Sequence, residues 1–393
     1  MNETIHFWEL KNKKNYISLN DKFLNKILPK LWNYSQDKIK EITGVSNSVI
    51  GRIRRKERSS IRIDQLLKLN RITNFKLEEI ERNIIWIGAP NSQGLINPKL
   101  PFNFNTRQGA RFLAAICNEG WISDGAYYSN TSQELRNSVI KDTLAIFGGE
   151  KSAIRVWVKE KDEYLAFPSI IRDCLLIITN FKGIKSENNP EIPKFILKNE
   201  ELTLGWIEQT IADEGCVKYY PETYRREITW KRAFSKTLSS YKLIEDEMRI
   251  LNNLKINYTI HNTENYQTKK KKLKTNVKIR IGSREELLKL RKLIKIPLKR
   301  KDDTFTIATK SFVRYKEKIN IKNTIIKICK EKGFTDSPEL KKRMKYKKIN
   351  TAIKWLNHFS NLGILKCIKR SHYAMGSIGP IPAKYSLKET QQL

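Results

Sequence analysis

Two apolar stretches, far apart in the chain, end in the same way. ARFLAAICNEGWI (110–122) and LTLGWIEQTIADEGCV (202–217) each read as a buried helix that runs into an acidic residue, then Gly, then a strand-like segment. The acids are Glu119 and Glu214, followed by Gly120 and Gly215. A chain built this way is constrained to a duplicated half-domain that delivers one carboxylate from each half to a shared centre. The segments downstream of each helix repeat as well. IRVWVK (154–159), REITWKRAFS (226–235) and NVKIRI (276–281) alternate with period 2, the signal of half-buried strands. In the first, Ile154, Val156 and Val158 oppose Arg155, Trp157 and Lys159; in the last, Val277, Ile279 and Ile281 oppose Asn276, Lys278 and Arg280. In the middle one, Glu227, Thr229, Lys231 and Ser235 share a face. Helical segments at 132–148 and 239–254 interrupt the strands. Each half therefore reads as helix, strands, helix, strands, helix over 105–305, an α+β repeat with antiparallel sheets.

Charge narrows the partners. Lys+Arg number 76 against 41 Asp+Glu, a formal net charge of +35, which attracts polyanions at long range. DNA or RNA is expected ahead of a membrane surface. No uncharged apolar run is long enough to span a bilayer, and no signal-peptide pattern opens the chain. The expected location is cytoplasmic and nucleoid-associated, with no membrane partner. The five cysteines (Cys117, Cys174, Cys216, Cys329, Cys367) form no Cys-x-x-Cys pair, so they read as free thiols, and a zinc finger is excluded.

The flanks have a different rhythm. In SQDKIKEITGVSNSVIGRIRRK (35–56), Ser35 is an N-cap, Ile39 and Ile42 face inward, and Gly44 supplies the left-handed corner between two short helices. The second helix turns Val49, Ile50 and Ile53 inward and leaves Asn47, Ser48, Gly51, Arg52, Arg54 and Arg55 as a polar, basic face. This unit resembles the helix-turn-helix of the Cro and phage-repressor family, with IRIDQLLKL (61–69) as its packing helix and Lys40 standing where that family has a small residue. It implies a DNA-binding domain over 1–75, with Asn47, Ser48, Arg52, Arg54 and Arg55 at a major groove. Residues 76–104 read as a linker carrying a short helix and strand. Over 318–390, helices near 323–333, 337–344 and 349–363 precede two strands joined by a Gly/Pro-rich turn, which looks like a winged helix or a small helical protein-contact domain. There Leu356, Phe359 and Leu362 face inward, and Lys366, Lys369 and Arg370 lie on the wing.

The central pair of motifs, their spacing, and EIPKFI (191–196) ahead of the second resemble the double-motif LAGLIDADG homing endonucleases across about half the chain. The resemblance implies a duplicated LAGLIDADG saddle of αββαββα type, whose motif helices cross on small residues such as Ala114 and Ala115. It implies Glu119 and Glu214 as catalytic metal ligands and Mg²⁺ as cofactor, because phosphodiester hydrolysis needs an activated water and neutralised oxyanions. Lys299, in IKIPLKRK (294–301), is the lysine expected near the scissile phosphate. Arg155, Trp157, Lys159, Thr229, Lys231, Lys278 and Arg280 are expected on the groove surface facing double-stranded DNA, with the KKKK run at 269–272 near the backbone. The second motif departs from the family at Glu208, Gln209 and Thr210, Gln209 standing where Gly is usual. Both acids are Glu where Asp is commoner, and Asp213 is an alternative ligand if the helix end is remodelled. Two motifs in one chain imply a monomer, and the absence of intein-like ends a free-standing protein. Two alternatives stay open: a non-cleaving transcription regulator, as in the WhiA-type proteins that pair such a domain with a helix-turn-helix, and an RNA-binding splicing assistant.

Overall fold

The computed structural model describes residues 3–56, 60–90, 93–159, 162–179, 181–183, 188–220, 225–235, 241–267, 273–310, 314–346, 348–372 and 381–388. The chain is mixed α+β with several small antiparallel sheets and divides into two compact units, Met1–Thr309 and Lys310–Leu393.

Unit 1 opens with β1 (Thr4–Ile5), β2 (Tyr16–Leu19), α1 (Asp21–Trp32), α2 (Gln36–Thr43), α3 (Asn47–Arg54), β3 (Ser60–Arg62) and α4 (Ile63–Thr73). α5 (Leu77–Glu81), β4 (Ile84–Gly88), β5 (Leu95–Ile96) and β6 (Phe102–Asn103) follow. The two short helices form as expected: Ser35 accepts from Lys38 N, and Gly44 takes φ +69 at the corner. Ile42 differs. Ile39 and Thr43, one turn apart, take the inward stripe of α2, and Ile42 falls beside it, 38 % exposed. Residues 76–104 are also more than a linker. β4 and β5 complete a four-stranded sheet of order β3-β2-β4-β5, and β6 pairs with β1. Buried Asn15 Nδ2 donates to Asp173 Oδ2 at 2.9 Å, tying this region to the segment that follows. The amino-terminal region and the central repeat both fall within the compact unit Met1–Thr309.

The first half of the repeat runs α6 (Arg107–Asn118), β7 (Gly120–Ile122), β8 (Ala126–Ser129), α7 (Gln133–Phe147), β9 (Arg155–Lys159), β10 (Asp162–Phe167) and α8 (Ser169–Ile178). After the short α9 (Lys194–Leu197) the order recurs: α10 (Glu200–Asp213), β11 (Cys216–Tyr220), β12 (Arg225–Ser235), α11 (Lys242–Asn253), β13 (Thr259–Gln267), β14 (Leu273–Ile281) and α12 (Arg284–Leu293), with α13 (Lys299–Lys310) last. The sheets share one strand order, β7-β8-β10-β9 and β11-β12-β14-β13. Helix α10 is buried along its whole length from Leu202 to Ala212, which explains why its sequence lacks a polar face. β9 departs from the half-buried expectation. It is an edge strand, and beyond Ile154 it leaves the core, so Val156 and Val158 are 55 % and 67 % exposed.

Unit 2 has its own core. α14 (Arg314–Lys332), α15 (Ser337–Arg343) and α16 (Ile349–Asn361) pack Ile321, Ile325, Ile328, Leu340, Leu356 and Phe359 together, and β15 (Leu365–Lys369) pairs with β16 (Lys384–Leu387). Leu362 caps α16 and is 55 % exposed, one position past the inward stripe. Lys366, Lys369 and Arg370 are exposed; most of the expected wing turn (373–380) lies outside the described residues.

Candidate active site

Each candidate acid caps its helix, Glu119 on α6 and Glu214 on α10. The glycine that follows has a geometric cause. A Cβ on Gly120 would lie 2.7 Å from Ile116 Cα, and one on Gly215 would lie 2.4 Å from Ile211 O. The chain doubles back over the last helical turn to enter a strand, and no side chain fits there.

The two helix ends meet. Asn118 and Asp213 each immediately precede a glutamate, and Asn118 Nδ2 donates to Asp213 Oδ2 at 3.1 Å. Asp213 Oδ1 also accepts from Tyr128 Oη on β8 at 2.7 Å and from Gln209 Nε2 at 3.0 Å. Burial pushes the Asp213 carboxyl up to about 6; these hydrogen bonds oppose the shift, and the charge of Glu214 adds to it. Gln209, fully buried, thus finds a partner in Asp213. The backbones approach tightly one turn earlier, where a Cβ on Gly205 would sit 2.7 Å from Arg107 O. Gly205 therefore does the spacing that Gln209 cannot. Glu208 is engaged by Arg107 through bonds of 3.0 and 2.6 Å, whereas Gln209 Oε1 and Thr210 Oγ1 are buried without a hydrogen-bond partner among the described residues.

Arg232 binds the two halves from below. Its guanidinium, 5 % exposed, donates to Asn118 Oδ1 at 2.7 Å and Glu214 Oε1 at 3.2 Å, and pairs with the fully buried Glu247 on α11. Burial opposes its charge, and Glu247 and Glu214 more than offset that. Trp230 Nε1 holds the same Glu247 at 2.8 Å. Nothing singled out Arg232 in the sequence, yet a signal was present: it alternates in phase with Ile228, Trp230 and Phe234, the inward residues of β12. A cation on an inward face requires a buried anion.

Two neighbouring lysines are placed differently. Lys299 is exposed, and its backbone N–H donates to Glu134 Oε1 at 2.8 Å. Lys301 is the one at the centre. Its ammonium donates to Ile211 O and Ala212 O at 3.1 and 2.6 Å, satisfying the last carbonyls of α10. Burial pulls its pKa below the ordinary value, with Asp213 opposing. A pocket of about 370 Å³ opens beside Glu214 and Arg232, lined also by Asn118, Lys231 and Asn276 among others.

On the second sheet, Lys231 is exposed and Lys278 and Arg280 are half-buried. Arg280 pairs with buried Glu227 at 2.7 Å, beside Arg225 at 3.2 Å. Thr229 departs from expectation. It is 4 % exposed, because β12 is central in its sheet and this short side chain lies between longer neighbours such as Arg280, its register partner. On the first sheet Arg155 and Trp157 are exposed and Lys159 ends β9; the side chain of Lys159 and the 269–272 run lie outside the described residues. On α3, Ser48 is exposed, Asn47 donates to Asp37 Oδ1 at 2.7 Å, and Arg52 Nε returns to Ser48 O at 3.1 Å. Arg55 is exposed. Arg54 turns inward, donating to Leu31 O and Tyr34 O, and so clamps α3 to the end of α1.

No helix among the described residues is long and apolar enough to cross a membrane. Comparison with protein-family models finds no match to this chain, and comparison with curated proteins finds none.

Proposed function

We propose that the protein is a metal-dependent endonuclease of double-stranded DNA, built on a duplicated LAGLIDADG-type saddle and acting as a monomer in the nucleoid. The observation that carries this is the Asn118–Asp213 hydrogen bond. It joins the residues just ahead of Glu119 and Glu214, so two carboxylates issue from adjoining helix ends in a chain of net charge +35. The donor set fits a hard divalent cation such as Mg²⁺, with Glu119 and Glu214 as its protein ligands and phosphate oxygens and water for the rest. When bound, such an ion supplies an activated water and neutralises charge on the oxygens of the phosphodiester. The remaining work falls to the chain. Arg232 orients Glu214 through Oε1, and Tyr128, Gln209 and Asn118 fix Asp213 beneath it. Lys301 offsets the negative end of α10, which otherwise repels both an added carboxylate and a phosphate. Lys231, Lys278 and Arg280 supply groove and backbone contacts.

One observation favours a second function, a DNA-binding regulator without cleavage: the Arg232–Glu214 ion pair already neutralises one of the two acids. A single experiment separates the two. A plasmid library incubated with Mg²⁺ is expected to yield discrete ends that vanish in Glu119→Gln and Glu214→Gln, while both variants keep their DNA affinity. Site-specific binding without ends moves the assignment to a regulator. Loss of binding in both variants makes the glutamates structural.

A further inference from the structure

The two sheets carry the same strand order and opposite chemistry. On the second, the face defined by Glu227, Lys231, Lys278 and Arg280 is charged. On the first, the matching face carries a continuous row of rings. Trp121 on β7 stacks on Tyr127 of β8 with centroids 4.7 Å apart, Tyr127 meets Tyr164 of β10 at 5.9 Å, and Tyr164 meets Trp157 of β9 at 6.3 Å. The row follows the strand order β7-β8-β10-β9 from edge to edge. It lies opposite Ala126, Tyr128, Leu165 and Phe167, which pack into the core.

Cross-strand ring pairs stabilise sheets, and Trp121, Tyr127 and Tyr164 are half-buried as such pairs usually are. Trp157 is different. It sits on an edge strand, 49 % exposed, and carries the row out to solvent. Arg155, two residues away on the same face, is exposed as well, and its Nε reaches Gln93 Oε1 at 3.3 Å. A duplex offers this surface little. Paired bases present only their edges in a groove, and rings with so few polar atoms read edges poorly. Unpaired bases present a π-face, which aromatic side chains stack on, with neighbouring cations following the phosphates.

We propose that the first sheet is a stacking platform for unpaired nucleotides, so that the chain engages a nucleic acid with a single-stranded or extruded segment on one side. This rests on the assignment of a nucleic-acid partner above, and not on cleavage. The probes are labelled oligonucleotides of about 15 nucleotides, as single-stranded DNA, single-stranded RNA and duplex DNA of one sequence. Each is titrated by anisotropy against the full-length protein, Trp157→Ala and Trp157→Phe. Loss of the indole is expected to weaken single-strand affinity by about five- to a hundredfold, with a distinctly smaller loss on the duplex. Phe is expected to restore most of the affinity, and tryptophan emission of the parent protein is expected to fall on binding. A preference between DNA and RNA identifies which strand the platform serves. Equal losses on single strand and duplex, or none on the single strand, overturn the platform. Duplex binding with no single-strand binding overturns it too, and leaves the endonuclease assignment intact. Binding to none of the probes removes both. Single-strand binding that depends on Trp157, with no metal-dependent ends on plasmid DNA, keeps the platform and removes the endonuclease.

Discussion

Asp213 accepts from Tyr128, Gln209 and Asn118, and still titrates near 6 because burial outweighs those bonds. Its ordinary value is 3.8, so the folded chain holds this proton more tightly than the unfolded chain does. The associated stability is fully present below pH 3.8, is lost as pH rises towards 6, and stays lost above it. With 1.36 kcal/mol per pKa unit, the loss amounts to about 3 kcal/mol. Asp213→Asn removes the titration. Urea unfolding with a chelator present is expected to show parent stability falling across that window relative to the variant. Parallel pH profiles of the two proteins would show that Asp213 is hydrated and unshifted.

At the scale of elements, the crossing of α6 and α10 depends on one missing side chain. A Cβ on Gly205 would meet backbone at 2.7 Å, so the helices must separate to accept it. Gly205→Ala is expected to lower stability by about 1–3 kcal/mol, as overpacking does, read as a drop in the urea midpoint at unchanged m value. An unchanged midpoint would mean that the crossing is looser than described. Gly205 also shows what the sequence discloses and what it withholds. The motif helices were legible because two apolar runs each end in Glu-Gly, and the long strands because their alternation is regular. The role of Gly205 was not, since sequence similarity directs attention to position 209 while the tight glycine approach lies one turn earlier. Lys301 was missed for a related reason: Lys299 and Lys301 are chemically alike, and only the phase of α13 decides which ammonium meets the end of α10. β5 and β6, two residues each, carry no periodicity, and their strand character comes wholly from partners distant in the chain. The ring row across the first sheet likewise exists only through strand pairing.

For the whole molecule, two separate apolar cores imply two cooperative events. Scanning calorimetry is expected to resolve two transitions, the larger from residues 1–309; one transition with the enthalpy of both would show that the units unfold together. The charge of +35 belongs to this scale too. Each phosphate neutralised adds about −0.9 to the slope of log affinity against log salt on duplex DNA. A steep negative slope is therefore expected, and a flat one would remove nucleic acid as the partner.

The Asn118–Asp213 contact also bears on how exchangeable the halves remain. Joining two copies of the second half would bring two aspartates together where an amide now donates to one, with no amide proton between them. Joining two copies of the first would set amide against amide and remove Arg232 and Glu247 along with β12 and α11. Each half thus supplies at this contact what the other lacks, the amide of Asn118 from the first and Asp213, Arg232 and Glu247 from the second.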